Sequence, residues 1–123
     1  MILVDTSVWI DHLRLGDPEL ASALQSCEVL CHPHVVGELA CGNLRARDKV
    51  ITLLQALPVS PVVSDKESLC FIDNYSLMAR GIGYIDVQLL ASARLAGAYL
   101  WTRDKRLQTV ALELGLAHLE TKH

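Results

Sequence analysis

The chain has no run of about 18 apolar residues, the length a membrane-spanning helix requires. Nor does it begin with the basic n-region of a secretory signal, since Met1 leads straight into Ile-Leu-Val. A cytoplasmic protein with no membrane partner is therefore expected. Long basic runs are missing too: eleven Lys and Arg are scattered against fourteen Asp and Glu, for a net charge of −3. Composition thus gives no sign of nucleic-acid binding. It does not exclude it, because a cation in an acidic pocket supplies positive charge locally. Aromatics make up only 5% of the residues, and repeats, low-complexity tracts and linkers are lacking. A single domain over residues 1–123 follows.

Apolar residues are abundant, at 51%. Mean hydropathy is +0.30, high for a small soluble monomer. A chain of this size has much surface for its volume, so part of the apolar surplus is expected to be covered by a partner. A self-dimer, a second chain, or both would serve.

Four cysteines stand at positions 27, 31, 41 and 70. Without a secretory signal they read as reduced thiols rather than a disulfide frame. CEVLCHPH groups Cys27, Cys31, His32 and His34, all possible zinc ligands, with both cysteines on one face of an apolar strand. Their spacing matches no common structural-zinc pattern. Buried thiols are the plainer reading.

Strand and helix signals alternate along the chain. Strands are expected at residues 1–4, at EVLCH, briefly at Val62-Val63, at AYLWT and at LAHLE. Helices are expected from Ser7 to Arg14, from Asp17-Pro18 onward, and from Pro33 to about Arg45. Another carries Val50, Ile51, Leu54 and Leu57, ahead of the stop bracketed by Pro58 and Pro61. Ser64-Asp65-Lys66-Glu67 is a capping box opening a helix to about Ala79. Two more run from Ile85 to Ala96 and from about Lys105 to the stop at Gly115. Such alternation implies parallel βαβ units, hence an α/β fold in three layers with helices on both faces of the sheet. Function then gathers at the carboxyl ends of the strands.

Four acids lie near those ends. Asp5 closes the first strand and Asp104 follows the fourth. Glu38 is about a turn into the helix after the second strand, and Asp86 is in the first turn of the helix leading to the fourth. Each also has a structural explanation: Asp5 and Asp104 as helix caps, Asp86 as an acid at a helix N-terminus, Glu38 as a solvated acid or an i,i+4 partner. Asp86 falls beside Leu89, Leu90 and Ala93 rather than on the Gln88–Ser92 side, a position a surface cap does not need. Two charges ~4 Å apart repel by ~4 kcal/mol at an effective dielectric of about 20, so four converging carboxylates require protons or cations. Oxygen ligands without His or Cys suit Mg²⁺ or Mn²⁺ better than zinc. Such ions can activate water and orient a phosphodiester.

At these residues the sequence resembles the PIN-domain ribonucleases, in particular the VapC-type toxins of bacterial toxin–antitoxin pairs. The resemblance rests on MILVDTSVWIDHLR, VVGELACG, GIGYIDVQLLASA and LWTRDKRL, in order and across nearly the whole chain. DTSVWIDHLR is its most specific piece and the Glu38 segment its least. It implies a parallel sheet of order 3-2-1-4-5 and RNA cleavage with Mg²⁺ or Mn²⁺ held by four acids. Asp5 and Asp86 would be the principal ligands, Asp104 would complete the site, and Glu38 would bind or orient a second ion or the attacking water. Ser7 and Thr102 resemble the hydroxyls that hold such acids in place. The family's homodimerisation and inhibition by a cognate antitoxin are implied likewise. Arg103, Lys105 and Arg80, with Arg14, Arg45 and Arg106, are candidates for binding RNA phosphates or else solvated helix ends, Arg103 being the foremost. Trp9 and Trp101 read as packing residues.

Three alternatives stand beside this reading. A response-regulator receiver needs an acceptor aspartate after the middle strand, where only Asp65 is available, already within the capping box. The others are a zinc-binding interaction module at CEVLCHPH and a catalytically inactive PIN-fold interaction protein.

Overall fold

The computed structural model of the chain describes residues 1–121; Lys122 and His123, the end of the expected domain, lie outside them. At its centre β1 (Ile2–Val4) lies between β2 (Val29–Leu30) and β3 (Tyr99–Trp101), both parallel to it. Leu3 pairs with Leu30 on one side and Leu100 on the other. All of β1 and β2 is buried, so the sheet is covered on both faces, and hydrophobic runs replace alternation.

The expected outer strands are reduced to single parallel bridges, Cys31 with Val59 and Leu100 with Ala117. The central order is as expected, and these bridges sit where the flanking strands would be. The third strand was expected at Val62-Val63; pairing occurs instead at Val59. The amide of Cys31 donates to the Pro58 carbonyl, and that of Ser60 donates back to Cys31. The next rung would need the amide of residue 33 to donate to Ser60 O, but Pro33 has no N–H and opens a helix, so the ladder stops there. At the other edge, Leu100 donates to Leu116 and His118 to Leu100. Beyond that pair, Glu120 is held by side chains instead.

Among the described residues seven helices connect and cover these strands: α1 (Thr6–Leu15), α2 (Pro18–Gln25), α3 (Pro33–Ala40), α4 (Arg47–Gln55), α5 (Asp65–Tyr75), α6 (Tyr84–Ala96) and α7 (Lys105–Glu113). Asp17 caps α2 through Leu20 N, and the Ser64–Glu67 box forms in both directions. Two helices stop earlier than periodicity suggests. After α3, a turn leads to Ala46, which takes the left-handed conformation (φ 50°) before α4. Ser76, at φ 52°, ends α5 in the same way. Both ends depend on backbone geometry that apolar spacing does not encode.

The core gathers Leu3, Val4, Val8, Leu20, Leu89, Leu90, Trp101 and Leu107, with Trp9 also buried. Trp101 directs its indole N–H to Glu120 Oε1 at 2.7 Å, so the packing role expected of both tryptophans is what they have. Helix α6 packs against β1 and β3, and its residues 87–93 are all buried. Gln88 and Ser92, expected on the polar side, are buried with the rest. Buried Ser92 needs a partner, which His32 supplies.

Candidate active site

Asp5 follows β1 at the N-cap of α1, yet its carboxylate makes no cap hydrogen bond. Both Ser7 Oγ and Thr102 Oγ1 donate instead to Asp5 Oδ2, at 2.9 and 2.7 Å. These hydroxyls are oriented from behind. The Arg103 amide donates to Ser7 Oγ and the Asp104 amide to Thr102 Oγ1, so each hydroxyl accepts one proton and gives its own to Asp5. The Asp5 amide in turn donates to Trp101 O, which ties together the carboxyl ends of β1 and β3. Asp5 itself is buried, as is Thr102.

The other three acids come from separate segments. Asp104 does cap α7, accepting Leu107 N at 3.0 Å on Oδ1. Asp86, in the first turn of α6, reaches back so that Oδ2 accepts Gly83 N at 3.0 Å. Glu38, exposed on α3, accepts Thr6 Oγ1 at 2.7 Å on Oε1. Thr6 is the first residue of α1, and its link to Glu38 spans 32 residues, which leaves no local signal in the sequence. The cap and ligand readings of these acids are therefore compatible. Each carboxylate has one oxygen held by the protein, and its second oxygen has no hydrogen-bond donor among the described residues.

The four acids share one electrostatic environment. Burial raises the Asp86 carboxyl above the ordinary carboxylate range; the Gly83 amide opposes this, while the charges of Asp5, Asp104 and Glu38 add to it. As the side chains stand, no three His, Cys, Asp or Glu groups among the described residues close around one point as metal ligands. The donor set itself, carboxylate oxygen with free lone pairs, fits a hard divalent ion.

The cysteine–histidine cluster does not form a zinc site. Cys27 is exposed in a turn at φ 56° rather than on a strand beside Cys31. Cys31 is buried, which pushes its thiol pKa up. His32 Nδ1 accepts His34 N at 3.0 Å, which leaves its proton on Nε2, 3.2 Å from Ser92 Oγ. Both ring nitrogens are thereby occupied, and burial, with the nearby His34, lowers its pKa to about 4. Neutral His32 instead caps α3 and joins it to α6, the helices carrying Glu38 and Asp86.

The basic residues also sort differently from expectation. Arg103 is not free: it forms ion pairs with Asp11, Asp17 and Glu120. Burial disfavours its charge, but hydrogen bonds to Asp17, Glu120 and Asp11 outweigh this and hold its pKa above the ordinary value. Its planar fork makes it a clamp joining β3 to α1, α2 and the C-terminal segment. Arg80 is paired bidentately with Glu113 at 2.8 and 2.9 Å. Lys105 is exposed in the first turn of α7 beside Asp104 and has no ion pair among the described residues.

A short parallel sheet with acids converging at the carboxyl ends of its strands defines the class, and comparison with known proteins agrees. The PIN domain family model matches residues 2–113, and the chain belongs to that family. It is 49% identical over 121 residues to Ribonuclease VapC32 of Mycobacterium tuberculosis, in strains CDC 1551 / Oshkosh and ATCC 25618 / H37Rv, covering 98% of each chain. The chain is thus a PIN-domain protein of the VapC type. Among solved structures, FitAB bound to the IR36 DNA fragment aligns with a TM-score of 0.62 at 21% identity, over 100% of both chains. PAE2754 from Pyrobaculum aerophilum aligns at 0.60 and 16%, over 89% of this chain and 78% of the other. At these identities the two structures support the fold alone. The receiver reading is set aside by the family, and Asp65 instead accepts a hydrogen bond from the Tyr84 hydroxyl.

Proposed function

We propose that this protein is the toxin of a toxin–antitoxin pair, a metal-dependent endoribonuclease in which Asp5, Glu38, Asp86 and Asp104 hold Mg²⁺ or Mn²⁺. One observation carries the reading: acids from four segments lie near enough that the charges of Asp5, Asp104 and Glu38 all act on half-buried Asp86, and each has one oxygen tied to a protein donor. A fold under no functional demand gains nothing from that repulsion. The relatives named Ribonuclease VapC32 support RNA as the substrate.

A bound divalent ion would supply charge for the phosphate and lower the pKa of its water. The chain's own groups hold and aim. Ser7 and Thr102 hold Asp5 through Oδ2 and leave Oδ1 available to a cation. The Gly83 amide fixes Asp86, and the α7 amide of Leu107 fixes Asp104. Glu38, the exposed member steadied by Thr6, orients the attacking water. Water oxygen bonds to phosphorus as the bond to the leaving ribose oxygen breaks; the water's proton passes to a carboxylate, and the leaving oxygen takes a proton from solvent. Lys105, beside Asp104, contacts the substrate backbone.

Exposed Leu15, Leu53, Leu69, Leu95 and Leu119 support apolar cover by a second copy and by a cognate antitoxin. No helix of the described residues is long and apolar enough to cross a membrane. A toxin that cuts cellular RNA acts in the cytoplasm, where that RNA is. Asp5→Asn and Asp86→Asn are each expected to lower Mg²⁺-dependent RNA cleavage by about 10³-fold and to relieve growth arrest on expression. Full activity in either variant would overturn the assignment.

A further inference from the structure

Beside Glu38 lies a groove of about 490 Å³ whose chemistry differs from that of the acids. Ile10, Leu13 and Arg14 of α1 line it together with Asn43 and Arg45 of the α3–α4 loop. Leu39, Leu44 and Val50 make much of the remaining lining aliphatic, and Glu38 belongs to it.

The distribution of paired and unpaired arginines singles this groove out. Arg103 is held by three carboxylates, Arg80 by Glu113, Arg47 by Asp48 and the Ala40 carbonyl, and Arg94 by the Leu114 carbonyl and the Tyr75 ring. Arg106 makes no ion pair or side-chain hydrogen bond among the described residues, but it lies against Gly81 and does not line the groove. Arg14 and Arg45 are exposed and make no ion pair or side-chain hydrogen bond among the described residues, and both line this groove. In a chain of net charge −3, two unpaired guanidiniums in a cleft that shares Glu38 with the candidate site mark where an anion can approach.

We propose that this groove binds one unpaired nucleotide of the RNA next to the scissile phosphate. Arg14 and Arg45 take its flanking phosphates, the aliphatic lining receives the face of its base, and Asn43 meets the base edge. The proposal rests on the ribonuclease reading above and adds a substrate subsite to it. The volume lies in the range of small-ligand pockets. A base in a duplex is stacked and unavailable, so the groove selects single-stranded RNA, whose bases can be splayed out. Arginine matches phosphate through its planar fork, and continuity with Glu38 brings the bound strand's next phosphate to the acids.

The test is steady-state cleavage of a short, mixed-sequence single-stranded RNA in Mg²⁺ by the full chain and by Arg14→Gln, Arg45→Gln and the double variant. Lys66→Gln, on α5, serves as a control of equal charge change. Each arginine variant should raise KM about 5-fold with kcat within about 2-fold. Each should also reduce the slope of log kcat/KM against log salt by about 0.7, one phosphate contact on a single strand. Melting temperatures near that of the unaltered chain confirm folding, and Lys at either position should recover most of the loss. RNA kinetics in the double variant equal to those of Lys66→Gln would overturn the proposal and leave the groove as a protein-docking surface. No cleavage by the unaltered chain would overturn the ribonuclease reading, and this inference with it.

Discussion

His32 connects the two helices that carry Glu38 and Asp86, and its burial gives the protein a calculable dependence on pH. Held neutral in the fold, it titrates at about 4, against 6.5 for an ordinary histidine. The unfolded chain therefore takes up a proton between these values while the folded chain does not, so stability is full above pH 6.5 and falls as the pH drops toward 4. Each pKa unit is worth about 1.4 kcal/mol, so the whole effect is about 3 kcal/mol, of which about 2 is lost by pH 5. Burial causes the lowering and the His34 ring, 4.9 Å away, adds to it, while the buried Cys31 thiol has a raised pKa and is neutral in this range. His32→Asn keeps a side-chain acceptor for His34 N, and hence the α3 cap, but does not titrate. It should be less stable than the unaltered chain at pH 7, having lost the ring and the Ser92 contact. The gap should then shrink by about 2 kcal/mol between pH 7 and pH 5, or roughly 6–10 °C in Tm for a domain of this size. Taking the difference between the two proteins cancels the carboxylates, which titrate alike in both. Thermal melts in EDTA from pH 5 to 8 read this directly. A gap constant to within about 0.5 kcal/mol would refute the buried, neutral His32 and its role as a strut.

Three further outcomes are expected. Asp86 has a raised pKa, so its contribution is favourable below the unfolded carboxyl pKa and is lost as pH rises through the folded value. Asp86→Asn in EDTA at pH 7 should thus gain about 1 kcal/mol, a few degrees of Tm, through relief of screened repulsion; a large drop would show a structural role. Thr102→Val removes a donor to Asp5 and the acceptor for Asp104 N, and should cost about 1–3 kcal/mol in stability and 10- to 100-fold in activity. Arg103→Ala releases Asp11, Asp17 and Glu120, and since Asp17 loses the guanidinium that holds its carboxyl pKa down, against burial, stability should fall by about 1–3 kcal/mol. Arg103→Lys should recover only part of it, because one ammonium cannot serve three carboxylates in a fixed fork. Urea unfolding measures all three, and an Arg103→Ala chain of unchanged stability would show that the clamp contributes nothing.

The sequence by itself determined what is encoded locally. Apolar runs marked β1, β2 and β3, Asp17-Pro18 and Ser64–Glu67 announced their helices, and the carboxyl-end rule drew attention to Asp5, Glu38, Asp86 and Asp104. Those signals survive because caps and periodicity involve neighbours within a turn or two. Only the tertiary structure decided whether Asp5 capped a helix, since its partner Thr102 lies 97 residues away. The same holds for Glu38 and Thr6, and for Arg103, whose partners Asp11 and Asp17 precede it by 92 and 86 residues. Arg103 beside Asp104 reads in sequence as a cation at a nuclease site. Parallel crossovers instead bring three acids to it, and pairing with them takes it away from any phosphate. At the sheet edge, Pro33, with no N–H to give Ser60 O, confines the third strand to one bridge at Val59, because backbone donors rather than apolar character set where a ladder ends. The residue types chose the chemistry, and the crossovers chose which oxygens and which cations are free to perform it.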